Sequence, residues 1–167
     1  MTKRLIAVFS TLLLFVFSAA TAHAADSDFR VVRMHEVLES YHSPMVGHEA
    51  ALIAAADRNG LDCTLMAAIA GTESTFGRFM PYSNGELCIN PYGWGVYGNN
   101  VMCFKSFEDA ADQVAAGLAR GYNTTSLETI ARTYNTVSTD GWISHTRYFM
   151  NKIKTAEIPV SALPIAL

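Results

Sequence analysis

Apolar and polar residues recur at helical spacing over most of the chain, with one long interruption. In residues 28–41, DFRVVRMHEVLESY, the residues Val31, Met34, Val37 and Leu38 form a single stripe. Ser43-Pro44 reads as the start of a second helix, with proline preorganised for the first turn. That helix runs to about Asn59, where Gly60 supplies a stop. A corner at Gly60-Leu61-Asp62 follows, and the Asp62 carboxylate is suited to cap the next helix. Residues 63–77, CTLMAAIAGTESTFG, carry Leu65, Met66, Ile69 and three alanines at helical spacing. Glu73 continues the row of Met66 and Ile69, so an acid sits on an apolar stripe. Gly77 is expected to end that helix.

Between Gly77 and Lys105 neither a helical period nor a strict alternation persists. Pro81, Gly85, Pro91, Gly93, Gly95 and Gly98 are interleaved with Tyr82, Tyr92, Trp94 and Tyr97. The pattern predicts an irregular lobe with a short hairpin. Long ordered loops of this kind often carry function. Helical spacing resumes at Ser106-Phe107-Glu108-Asp109, a capping-box pattern with Asp in the Glu position. Its stripe is Phe107, Ala110, Ala111, Val114, Ala115 and Leu118, and Gly121 ends it. Ser126 caps a shorter helix with Leu127, Ile130, Ala131 and Tyr134 inward. Residues 135–141 read as a polar loop, and a last helix is expected from Trp142 to about Lys154. The fold class is therefore all-α, with a loop lobe after the third helix.

The N-terminal residues change the picture of the compartment. Lys3 and Arg4 precede an apolar run, and Ala22-His23-Ala24 is a cleavage signature, so residues 1–24 read as a signal peptide. Residues 25–167 then form one domain, long enough for a real core. The expected location is periplasmic or secreted, with no stable membrane insertion after cleavage. The formal net charge is −3, and no basic run is present, which argues against nucleic acid as a partner. Export permits disulfides. Cys88 and Cys103 bracket a glycine-rich segment, and their pairing would close a loop of a size worth about 3 kcal/mol. Cys63 would be left over at the start of the alanine-rich helix. No Cys or His pair has ligand spacing, so neither a metal nor a cofactor is expected.

The residue that organises the candidate chemistry is Glu73. A carboxyl group on an apolar helix face must be paired or kept protonated. As an ion pair it would take Arg78 or Arg132. Kept protonated, it is a general acid, the group that glycoside cleavage needs to protonate a departing oxygen. The second carboxylate of such a reaction could be Glu86 in the lobe, or Asp140. A sugar-binding cleft needs flat aromatic faces and amides, which Asn90, Tyr92, Trp94, Tyr97, Asn99 and Asn100 offer.

Leu61-Asp62 followed by LMAAIAGTESTFG resembles the catalytic-helix signature of the lysozyme-like superfamily, in its lytic transglycosylase and bacterial glucosaminidase branches. Asn90-Pro91-Tyr92-Gly93-Trp94-Gly95 is similar to the cleft-lining segment of the glucosaminidases. Tyr134-Asn135 resembles the Tyr-Asn pair of the transglycosylases. The Gly-Leu-Met-Gln segment of their soluble branch is missing, and Thr136-Val137 replaces the usual small residues. The resemblance spans about residues 50–155. It implies a lysozyme-like domain that cleaves the β-1,4 glycan strand of peptidoglycan. It further implies Glu73 as acid, Tyr134 beside it, and Glu86 as the second acid. Where no second acid is used, the sugar's N-acetyl group or 6-hydroxyl takes that part. Ser74, Asn90, Tyr92, Trp94, Tyr97 and Asn135 are the implied substrate contacts. The alternative is a non-catalytic glycan- or partner-binding module on the same fold.

Overall fold

The computed structural model describes residues 29–98 and 100–162. The expected signal peptide and Asn99 lie outside the described residues.

Helix α1 covers residues 29–40 and buries Met34, Val37 and Leu38. Helix α2 is Glu49–Arg58, later than the Ser43-Pro44 signal predicts. The reason is partly a contact remote in sequence. The Ser43 hydroxyl donates to the Phe76 carbonyl at 2.7 Å and accepts from the Met45 amide at 2.9 Å, so the segment is held as a turn. Gly60, at φ +65°, makes the expected corner. Asp62 then accepts from the Thr64 amide at 2.9 Å and from its hydroxyl at 2.6 Å.

Helix α3, Leu65–Ser74, is buried over Leu65–Gly71 rather than along one stripe, since α2 and α6 both pack on it. It ends before Gly77. Thr75, Phe76 and Gly77 all take left-handed φ values, +51°, +56° and +80°. This reversal folds the Phe76 ring back under the helix. The ring fits because Gly71 has no side chain: a Cβ there would lie 2.8 Å from Phe76 Cζ and 2.9 Å from Phe149 Cδ2.

The lobe contains a two-stranded antiparallel hairpin, β1 Tyr82–Ser83 and β2 Glu86–Leu87, turned through Asn84 and Gly85. The Cys88–Cys103 disulfide closes the loop that follows, with Cα atoms 5.1 Å apart. Cys63 is free and half-buried, and burial pushes its thiol up from the ordinary range.

Helix α4, Phe107–Gly121, is capped by Ser106 Oγ accepting from the Asp109 amide at 3.2 Å. The reciprocal half of the expected box is displaced by one residue, because Asp109 accepts from the Lys105 amide instead. Helix α5, Leu127–Tyr134, has a full capping box from Ser126 and Thr129. Helix α6, Thr139–Lys154, begins ahead of Trp142. Asn135 turns the chain into it: its side-chain oxygen accepts from the Ser138 amide at 2.8 Å and its carbonyl from Thr139 Oγ1 at 3.0 Å. A 3₁₀ turn at Val160–Ala162 follows. The expectation of an all-α domain with a short hairpin holds. Helix α2 packs on α4, and α5 packs on α6. The core is continuous between them, with Leu52, Met66, Ile69, Val114, Leu118 and Ile130 at its centre.

Candidate functional site

Glu73 sits in the last turn of α3, half-buried, where α6 and the lobe meet. Its Oε1 accepts from the indole Nε1–H of Trp142 at 2.7 Å. Its Oε2 faces Gly93: a Cβ built on that glycine would lie 3.2 Å from Oε2. Gly93 also has φ +60°, a conformation that glycine adopts without strain. The two oxygens are thus unequal. Oε1 faces a donor in either protonation state, so the proton of the neutral acid belongs on Oε2, against exposed Gly93.

Burial raises the pKa of Glu73 above the usual carboxylate range, and the Trp142 hydrogen bond offsets part of that rise. The expected alternative, an ion pair with Arg78 or Arg132, is not what forms. Glu73 is held by a neutral donor, which leaves the carboxyl group without a countercharge among the described residues.

Tyr134, at the end of α5, donates its hydroxyl proton to the Tyr92 carbonyl at 2.6 Å. Burial, then the nearby Glu73 charge, pushes its pKa well above that of an ordinary tyrosine. It therefore stays protonated, and its one proton is committed to fixing the loop that carries Gly93. Its ring lies 5.2 Å from that of Trp142, 5.9 Å from Trp94 and 6.0 Å from Tyr122. Trp94 and Tyr122 are themselves 5.6 Å apart. Glu73 is thus backed by a continuous aromatic wall. In front of that wall is an open cavity of about 450 Å³, bounded by Gly93–Tyr97, Tyr122, Tyr134 and Thr136. Glu73 adjoins it through Gly93 and Tyr134 rather than lining it.

Several residues expected to meet substrate are turned inward instead. Ser74 is buried, and its hydroxyl bonds the Ala70 and Pro91 carbonyls at 3.0 and 2.7 Å while accepting from the Gly77 amide. It ties the lobe to the helix end. Asn90 is fully buried, and its amide spans the loop, donating to the Trp94 and Met102 carbonyls, both at 2.8 Å, and accepting from the Trp94 amide. Tyr92 is fully enclosed, with a buried hydroxyl that finds no partner among the described residues. Asn135 spends its side-chain oxygen and its carbonyl on the turn into α6. A hydroxyl or amide that closes the backbone of a loop is unavailable to a sugar. Glu86 is exposed on β2, opposite Ser83, and takes no part in the hydrogen bonding of Glu73. Asp140 is exposed in the first turn of α6. Neither is brought together with Glu73.

Trp94 and Tyr97 line the cavity, Tyr97 being 78% exposed. Two residues were not legible as site residues. Trp142 reads as a packing residue of the last helix, yet it holds the acid. Tyr122 follows the helix stop at Gly121 and reads as a loop residue, yet it forms part of the wall. Only the clustering of aromatics at the ends of α4, α5 and α6 could have suggested them.

Among the described residues no group of three or more His, Cys, Asp or Glu side chains is arranged to hold a metal ion, and no helix is long and apolar enough to cross a membrane. Comparison of the chain with protein-family models, with curated proteins and with solved structures gives no match.

Proposed function

We propose that this protein is an exported enzyme that cleaves the β-1,4 glycan strand of peptidoglycan, with Glu73 as general acid and then general base. The observation that carries this reading is the asymmetric environment of Glu73. One oxygen is anchored by Trp142, the other faces an exposed glycine beside an aromatic cleft, and burial favours the protonated form. A carboxyl group biased toward its protonated form is what protonation of a glycosidic oxygen requires. After the bond breaks, the same Oε2 can take a proton back from the attacking hydroxyl. The lysozyme-like resemblance of the helix and lobe motifs points the same way.

Among the described residues Glu73 bonds the Trp142 indole, and no second carboxylate is paired with it. This favours the route in which the substrate supplies the nucleophile, through its N-acetyl group or its 6-hydroxyl, over a two-carboxylate hydrolysis. Trp94 and Tyr97 supply apolar faces for sugar rings in the cleft. The targeting segment at residues 1–24 and the Cys88–Cys103 bridge are the support for a periplasmic or secreted location.

The test is mass analysis of the fragments released from whole peptidoglycan by the wild-type protein and by Glu73→Gln. Glutamine keeps an oxygen for Trp142 but has no proton to give. The expected result is fragments with anhydro ends from the wild type and none from the variant. Reducing ends would mean that water, rather than the sugar's 6-hydroxyl, completes the reaction. Wild-type release by Glu73→Gln would refute the catalytic assignment, and strand binding without turnover by either protein would mark a binding module.

A further inference from the structure

Trp94 borders two cavities, and only one of them is the cleft beside Glu73. The second, of about 370 Å³, lies along α4 and is lined by Trp94, Asp112, Gln113, Ala116, Gly117 and Arg120. The two are continuous in the sense that one indole forms part of both walls. Gly117 makes this possible: a Cβ there would come within 2.5 Å of Trp94 Cζ2, so the ring rests directly on the α4 backbone. Asp112, Ala116 and Arg120 follow one another at four-residue spacing and share a face of the helix.

The charges on this face do not cancel. Asp112 is paired with Arg58 from α2. Gln113 donates to Asp109 at 2.9 Å. Arg120 is exposed and forms no hydrogen bond or ion pair with any described residue. The groove therefore presents a stacking surface together with one uncompensated guanidinium, a planar five-donor group suited to carboxylates.

We infer that this second groove is a subsite for the peptide branch of the glycan strand, with Arg120 binding a branch carboxylate while Trp94 holds the sugar that bears it. The inference rests on the proposed function, since peptidoglycan carries carboxylate-bearing peptides on alternate sugars. It narrows the preferred substrate to strands that retain their branches.

The experiment compares kcat/KM for wild type, Arg120→Gln and Arg120→Glu on two preparations of the same strands. One preparation keeps its peptide branches, and the other has lost them to an amidase, with the carboxylates that this leaves on the sugars capped as neutral methyl amides. On branched strands Arg120→Gln is expected to lower kcat/KM roughly three- to fivefold, the range of an exposed ion pair. Arg120→Glu is expected to lower it further, and both losses should shrink at high salt. On stripped strands all three proteins should agree within about twofold. Equal losses on both substrates, or no loss on branched strands, would overturn the inference. Cosedimentation with the two strand preparations, in a Glu73→Gln background with and without Arg120→Glu, reads the same preference without turnover. If the wild type cleaves neither preparation, the enzymatic reading fails. The subsite then stands only if Arg120→Glu weakens binding of branched strands selectively, and falls if it does not.

Discussion

Replacing Trp142 with Phe removes one hydrogen bond from the proposed acid and leaves the ring stack with Tyr134 largely in place. Trp142 is 2% exposed, and its Nε1–H lies 2.7 Å from Glu73 Oε1. When Glu73 gives up its proton, charge develops on the carboxyl group and the indole bond strengthens. The bond therefore belongs to the transition state more than to the ground state. Hydrogen bonds to charged groups contribute about 1.5–3 kcal/mol, and a half-buried acid belongs near the lower figure. At about 1.4 kcal/mol per factor of ten in rate, kcat should fall roughly tenfold with KM little changed. The pH profile supplies the second readout. Trp142 stabilises the deprotonated form, so its loss raises the Glu73 pKa further. An acid catalyst is active while protonated, and its activity declines as pH rises through its pKa. The alkaline limb of the profile should therefore move to higher pH in Trp142→Phe. Steady-state kinetics on glycan strands between pH 4 and 9 would measure both effects. A kcat within twofold of wild type, or an alkaline limb moving to lower pH, would refute the positioning role.

Two further outcomes follow from the lobe. Replacing Cys88 and Cys103 with Ser should cost about 3 kcal/mol, the chain-entropy figure for a loop of this size, read as a lower midpoint in denaturant unfolding. Gly93→Ala places a methyl group against Glu73 Oε2 and strains a left-handed residue; the backbone strain costs about 1 kcal/mol of stability. Its effect on glycan cleavage should be larger than that cost implies, because the group crowded is the oxygen proposed to carry the proton. A variant with unchanged kcat would show that Oε2 does not face the substrate.

Helix positions were legible because their signals are local. The Ser106 and Ser126 caps, the Gly60 corner and the stripes of α4 and α5 all act within a few residues. The site was legible only in part, for a physical reason. Glu73 stands out because an acid among apolar residues violates a local rule. Its partner Trp142 is remote in sequence, and nothing near residue 142 signals that an indole N–H faces a carboxyl group. The opposite error arises with Ser74, Asn90 and Tyr92. Their chemistry suits a sugar, but hydroxyls and amides suit loop carbonyls equally well, and composition does not reveal which they face. An irregular lobe has no ladder to satisfy its backbone, so its polar side chains are drawn inward to do so.

The left-handed run at Thr75–Gly77 has an electrostatic consequence. By stopping α3 at Ser74, it places Glu73 in the final helical turn, where the peptide dipoles converge on a partial negative charge. No basic residue occupies that turn to offset it. The macrodipole therefore opposes ionisation of Glu73 through the backbone itself. This contribution is built into the main chain and falls off within a single turn, so moving the helix stop one turn further along would largely remove it.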